Sequence, residues 1–441
     1  MLSSQKGFSL LPPSGPIGPT RRRPMKPKCV VVVLIVGLAW LLPPLTQAGG
    51  KFKVLHNFGS GNDARDPSGP PLLDGKGNFY GVTGAGPGMD GNGVVYELTP
   101  QANGNWGEVI LHAFTGGGGG AYPWGSLVPD GSGNMYGTMK GYLSYAVGGV
   151  FELSPGSGGW AYTVIYDSYS GPGLLTDGLG DLYGSMGLGE KKAGAGAELS
   201  PGSDGWVYTQ LYSFCSQQNC VDGYDMPAPP IWDGKGNMFG TTAEGGNARS
   251  PCYNSSGCGV IFEMTPNDDG TWTYNVLHRF ASSPTDGQRP FAGLVMDTAG
   301  NFYGSTAAGG RYGRRDGGYG NGTVFKFAFA NGHWKETVLY DFPKHSDGTN
   351  PGYQMAFDKE GDLYGVAAAG GLVDCGGYEC GVVFKLSPQK NGKWKYSVVH
   401  KFAGTDGGYP LGVIIDRKGN LFGTTQAFGK YYAGTAFEIT P

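Results

Sequence analysis

The most regular pattern along the chain is a strand-length alternation that opens on tryptophan and closes on phenylalanine. In Trp394–Phe402 (WKYSVVHKF), period two places Trp394, Tyr396, Val398, His400 and Phe402 on one side and Lys395, Ser397 and Lys401 on the other. One apolar and one polar side is the mark of a half-buried strand at the outside of a sheet. The same pattern occurs at Trp272–Phe280. Three other apolar runs accompany it in a fixed order. A short one ends in aspartate, as in Gly293–Asp297 or Gly412–Asp416, and leads through a Gly-Asn turn, a tight-hairpin signal. The second is Asn301–Thr306 or Asn420–Thr425. After a variable glycine-rich loop comes the third, Gly322–Phe327 or Gly434–Ile439. Together these predict a four-stranded antiparallel unit.

The unit recurs. The motif Asp-x-x-Gly-(Asn/Asp)-(Leu/Met/Phe)-(Tyr/Phe)-Gly starts at Asp74, Asp130, Asp177, Asp233, Asp297, Asp358 and Asp416, with variable spacing that falls in the loops. The prediction is all-β: a seven-bladed β-propeller of four-stranded blades. Residues 49–441 allow about 56 residues per blade. The N-terminal run Lys51–Phe58 is a fourth-type strand without a blade of its own, and the last copy ends after its third strand. The ring is therefore expected to close with the N-terminal strand completing the last blade, which removes exposed sheet edges. In the third copy Ala197 stands where the others have Phe or Tyr, and the fourth strand before it, Trp160 to Ser168, lacks its closing Phe, so the third blade is expected to be the loosest.

Residues 1–48 do not follow the repeat. They carry Lys6, Arg21, Arg22, Arg23, Lys26 and Lys28, no acidic residue, an apolar run Cys29–Leu42 and the small-residue exit Thr46-Gln47-Ala48. This is the layout of a secretory signal peptide, with Met25 a more typical start than Met1. A faint twin-arginine pattern and an uncleaved anchor are the other readings, although the run is short for a bilayer. The expectation is export to the periplasm, cell surface or medium, as a monomer with no membrane span once the signal is removed. Without those six bases the chain has 26 basic and 35 acidic residues, a net charge of −9. That field opposes phosphate backbones and anionic lipid, so nucleic acid is not an expected partner.

Six cysteines outside the signal form three tight pairs, Cys215/Cys220, Cys252/Cys258 and Cys375/Cys380. Export and short spacing predict local disulfides, pinning loops that have no sheet to hold them. Zinc is the rival reading, but no histidine lies near any pair in sequence.

The Gly419–Thr425 strand (GNLFGTT) and the Gly381–Leu386 strand (GVVFKL) resemble those of the bacterial secreted choice-of-anchor tandem repeat GloVer-containing proteins, over about residues 51–441. The resemblance implies export and repeat architecture, and no established activity or catalytic residues. No C-terminal anchor follows Ile439–Pro441 in this sequence. A more distant similarity, to NHL-type and lactonase-type propellers, concerns the fold alone.

In an up-and-down blade the loops joining strands two to three, and four to the next blade, share one face. Here they are long, variable and hold all six of these cysteines, so binding is expected there. Four histidines (His56, His112, His278, His400) share one repeat position with Tyr166, Tyr212 and Tyr340, which points to packing between blades. Asp222, Asp286, Asp347 and Asp406 each precede glycine in the loop entering the innermost strand. The plainer reading is a turn; the functional one is a partial carboxylate ring at the channel mouth, able to hold Ca²⁺ or a polyol. The stretch Arg311–Tyr319 groups Arg311, Tyr312, Arg314, Arg315 and Tyr319, a solvated loop or a contact for an acidic glycan or a protein. Trp124 and Trp232 lie outside the repeated tryptophan position and fit core filling or sugar stacking.

These features favour a non-enzymatic exported propeller that binds a glycan or protein through its long-loop face. A metal-dependent lyase or lactonase-like hydrolase is the alternative; it needs a unique cluster at the channel mouth, and no G-x-S-x-G, H-E-x-x-H or P-loop pattern is present. A structural envelope protein is the third reading.

Overall fold

The computed structural model describes residues 50–87, 91–140, 148–189, 192–246, 252, 257–281, 283, 285–312 and 320–441. Residues 1–49, with the expected signal, lie outside this set, as do Arg314, Arg315 and Tyr319. Seven four-stranded antiparallel blades follow one another, each wound from the channel outward. Blade 1 contributes Leu72–Leu73, Phe79–Ala85, Val94–Pro100 and Trp106–Ala113, with Arg65–Pro67 as an added segment on the second strand. The innermost strand is only two residues long in five blades, where nearby proline lacks the amide for a ladder bond and glycine weakens a strand. In blade 7 the order is Gly408–Ile415, Leu421–Ala427, Thr435–Thr440 and then Lys51–Asn57, so the N-terminal strand closes the ring as the repeat implied. No helix of the described residues is long and apolar enough to cross a membrane.

The blade motif has a packing reason. In six of the seven blades the glycine of the second strand lies directly opposite an aromatic residue of the third: Gly81 pairs with Tyr96, Gly137 with Phe151, Gly240 with Phe262, Gly304 with Phe325, Gly365 with Phe384 and Gly423 with Phe437. The ring lies over the bare backbone; a Cβ at Gly304 would meet Phe325 Cζ at 2.4 Å. In blade 3 the pair is Gly184 and Ala197. Met226, Met238 and Met264 line a small void beside it, as suits a flexible side chain filling an irregular gap. We expect Gly304→Ala to cost about 1–3 kcal/mol through overpacking. Gly184→Ala, which meets Leu174 Cδ2 at 3.2 Å and no ring, should cost less than about 1 kcal/mol. Urea unfolding of the two variants checks this difference.

The fourth strand differs from the plain alternation. A β-bulge interrupts it in every blade, for example between Val398 and His400 and between Val54 and His56. The extra residue, Val399 in blade 6, shifts the following side chains to the other side of the sheet. Trp394, Tyr396 and Val398 therefore pack toward blade 5, while Val399 and Phe402 pack toward blade 7. His400 follows them and stacks on Phe52 of blade 7 at 3.8 Å. The two-sided strand consequently cements both neighbours, which a strict period of two would not allow.

The turns of the opposite face are self-capped. Asp297 accepts hydrogen bonds from the Ala299 and Asn301 backbone amides, the Asn301 side chain and the Tyr303 hydroxyl. Burial alone would raise this carboxyl, but these bonds hold it below its ordinary value.

Candidate functional site at the channel mouth

A cavity of about 1120 Å³ runs between the innermost strands of all seven blades. Its wall follows the repeat and is largely Pro, Gly, Ala, Leu and Ile. Its mouth on the long-loop face does not. Each blade enters the channel through a short loop, Asp-Gly-x-x-Pro in its fullest form. The residue ahead of the proline is left-handed at Asp66, Tyr122, Arg289, Asn350 and Tyr409, as is Asp225 two residues ahead of its own proline. Non-glycine residues in that region cost about 1–3 kcal/mol unless their surroundings fix them. Here they are fixed: the backbone amides donate to loop carbonyls of the preceding blade, Asp66 to Ala433, Tyr122 to Asn92, Arg289 to Cys258 and Tyr409 to Cys380. A regular backbone thus presents side chains of varied charge and shape on one rim.

The residue after the proline is Ser68, Trp124, Gly173, Ala228, Phe291, Gly352 or Leu411, and all seven line the cavity. Two of them are large and aromatic. The residue after the second strand's repeated core is Gly84, Lys140, Gly187, Ala243, Ala307, Ala368 or Gln426; only Lys140 and Gln426 are long, and both line the cavity. Blade 2 therefore departs from the repeat twice at one place: the Lys140 ammonium sits 4.1 Å over the Trp124 ring. Partial desolvation lowers the Lys140 pKa, and the Trp124 indole N–H is buried with no hydrogen-bond partner. Across the mouth the Arg289 guanidinium lies 4.8 Å from the Phe291 ring. The Asp225 carboxyl is raised by burial and by Glu244, against the lowering effect of Arg289.

The other sequence-derived candidates fall elsewhere. Asp222, Asp286, Asp347 and Asp406 do not line the channel. Each faces the ring at the repeated position of the outer strand before it. Tyr212 donates to Asp222 at 2.8 Å and Tyr340 to Asp347 at 3.3 Å, while His278 lies 3.3 Å from Asp286 and His400 2.8 Å from Asp406. Asp63 with His56, at 3.0 Å, is a fifth such pair. At several junctions the ring at this position also stacks on the next blade: His112 on Tyr162, Tyr212 on Tyr274, Tyr340 on Tyr396. The repeated histidine and tyrosine are junction residues, in keeping with their regular spacing. Arg311 and Tyr312 are exposed, with the Arg311 amide donating to the Asp341 carboxylate. Trp232 packs between blades 3 and 4, its N–H donating to the Thr176 carbonyl at 3.2 Å and its ring edge-on to Tyr183.

The cysteines are bonded locally in the long-loop set, Cys215 to Cys220, Cys252 to Cys258 and Cys375 to Cys380, which points to an oxidising environment. The Cys215–Cys220 loop, which belongs to no sheet, carries a short 3-10 turn, Gln218–Cys220. Cys220 is only half-buried, whereas the other five cysteines are buried in the blade cores. The Cys220 amide donates to the Gln217 carbonyl, and its own carbonyl accepts from Gly223 and Gly246. Backbone bonds therefore order this loop together with the disulfide.

Of the residues gathered here the sequence singles out Trp124, which lines the cavity, and not Lys140, Arg289, Phe291 or Gln426. The signal for Lys140 and Gln426 was available: aligning the seven copies shows them as the two long side chains in a column of Gly and Ala.

The model of the Gloeobacter/Verrucomicrobia repeat matches twice, over residues 44–251 and 226–441. No curated protein of known function matches the chain. Among solved structures, one described as an oxidoreductase (glucose dehydrogenase) of Thermus thermophilus is 14% identical, with 89% of this chain and 100% of that one covered and a TM-score of 0.43. A fungal alcohol oxidase of the AA5 family in complex with copper is 12% identical, with 89% and 93% covered and a TM-score of 0.45. Neither likeness carries an activity to this chain.

Proposed function

Because the chain belongs to the Gloeobacter/Verrucomicrobia repeat family, whose shared content here is the blade itself, we propose that its function resides where this chain breaks the repeat. It is an exported binding propeller that takes a glycan at the long-loop mouth of the channel. The observation that carries this reading is the Trp124–Lys140 pair of blade 2, which lines the cavity together with Phe291 and Gln426, with Arg289 packed on the Phe291 ring. An aromatic face beside charged and amide groups suits a sugar, which presents apolar C–H surface on one side and hydroxyls around its edge.

The test is an oligosaccharide array probed with the purified protein, followed by calorimetric titration of the best ligand. Trp124→Ala should weaken binding at least about ten-fold, equivalent to about 1.4 kcal/mol. Trp232→Phe, at the blade 3–4 junction, should leave affinity unchanged. Binding that is equal in wild type and Trp124→Ala, or no binding across the array, would remove the glycan reading.

A further inference from the structure

The outer strands follow the pattern Trp-x-Tyr-x-x-x-(His/Tyr)-x-Phe, and the Tyr at its third position is what the His or Tyr of the preceding blade stacks on. That third position is Tyr162, Tyr208, Tyr274, Tyr396 and, in the closing strand, Phe52. At two junctions it is glutamate. Glu108 faces His56 and Asp63 between blades 7 and 1, and Glu336 faces His278 and Asp286 between blades 4 and 5. In each trio one ligand atom per residue lies within 4.8 Å of the others. The aromatic stack has been exchanged, twice and in register, for a second carboxylate beside a histidine.

Hydrogen bonding leaves some of these carboxylate oxygens unsatisfied. The Asp63 side chain is 7% exposed, and its Oδ1 has no partner. Glu108 Oε1 and Glu336 Oε1 are likewise buried without one. Leaving buried carboxylate oxygens unpaired is costly, and a proton or a cation shared with the histidine relieves that cost. The nitrogen–oxygen separations suit it: His56 Nε2 lies 3.0 Å from Asp63 Oδ2 and His278 Nε2 lies 3.3 Å from Asp286 Oδ2. Two ligands about 2.0–2.1 Å from a tetrahedral zinc ion are about 3.3 Å apart. The glutamate carboxylate, with an oxygen within 4.8 Å of both other groups, offers the third ligand. Imidazole with carboxylates favours a divalent transition-metal ion over Ca²⁺, which takes oxygen ligands alone.

We propose that the His56–Asp63–Glu108 and His278–Asp286–Glu336 clusters are two divalent transition-metal sites, each joining the outer strands of adjacent blades. The inference stands apart from glycan binding, since none of the six residues lines the channel. The molecule also contains its own control, because His400 and Asp406 form the same pair with Phe52 in place of the glutamate.

The test is Zn²⁺ and Mn²⁺ uptake by the chelator-stripped protein, measured by equilibrium dialysis. Two ions per chain are expected, falling to one in Glu108→Gln, one in Glu336→Gln and none in the double variant. His400→Gln should retain two. Because glutamine could disturb folding, each variant's circular dichroism is compared with wild type. Anomalous diffraction from wild-type crystals grown with Zn²⁺ should give a peak inside each trio. No uptake of either metal, or uptake unchanged in the double variant, as would follow from binding at the exposed His345–Glu379 pair, overturns the proposal.

Discussion

Removing residues 50–58 is expected to abolish the folded state, while restoring the same segment after Pro441 brings it back. This strand makes the entire ladder with Thr435–Thr440 and buries Leu55 and Phe58. Phe58 is fully buried against Tyr96 of blade 1, at 5.0 Å between ring centroids. Phe52 stacks on His400 of blade 6 at 3.8 Å. The segment therefore touches both neighbours of the blade it completes. Phe58→Ala alone should cost about 3–5 kcal/mol. Deletion adds the loss of Leu55 and uncovers the Thr435–Thr440 edge, a template for intermolecular pairing. Soluble yield and unfolding midpoint are the readouts. The permuted chain separates the two roles of the segment: Lys51 pairs with Thr440, so a short hairpin linker can carry it, and closure needs the strand but not its position in the chain. Failure of the permuted form to recover stability would contradict closure by strand exchange.

The second large effect concerns Glu336. Burial, and secondarily the Asp286 charge, push its carboxyl from an ordinary 4.5 up to about 8. A carboxyl with a raised folded pKa keeps its proton better in the native state than in the unfolded one. Its contribution is therefore fully present below the unfolded pKa and is lost as pH rises toward about 8. In chelator, to remove any bound metal, wild type should lose on the order of 2–4 kcal/mol between pH 5 and 9 from this group. Glu336→Gln, with no proton to lose, should flatten that part of the profile and be the more stable protein at pH 9. Urea titrations at the two pH values decide it, with the exposed Glu360→Gln as a variant expected to follow wild type. Parallel profiles for wild type and Glu336→Gln would contradict the assignment.

What the sequence disclosed and what it hid follow from the same cause. The blade is legible because its packing recurs in six of the seven blades: Gly304 against Phe325 returns as Gly423 against Phe437, and a glycine-aromatic register leaves a fixed imprint on the chain. The spare strand at Lys51 is legible for the same reason. The bulge at Val399 is not, because Val398 and Val399 are both apolar and either could face a core. That ambiguity put His400 on the side of Trp394, when it faces the next blade. The channel mouth is harder still. Its residues come from loops of unequal length, and Lys140 reads as an ordinary loop lysine until the seven copies are superposed. Glu108 and Glu336 were hidden in another way: each occupies a strand position where a glutamate on a half-exposed strand is unremarkable, and only the missing stacking partner of His56 and His278 marks them.

The central claim is that the repeat builds the ring and the departures from it bind the ligand. The most direct measurement is a crystal structure of the protein with the oligosaccharide that binds it best. The account predicts a sugar ring lying on the Trp124 face at the long-loop mouth, with hydroxyls reaching Lys140, Gln426 or Arg289. A sugar seated only on the outer strands or at the Asp-x-x-Gly-Asn turns would contradict it.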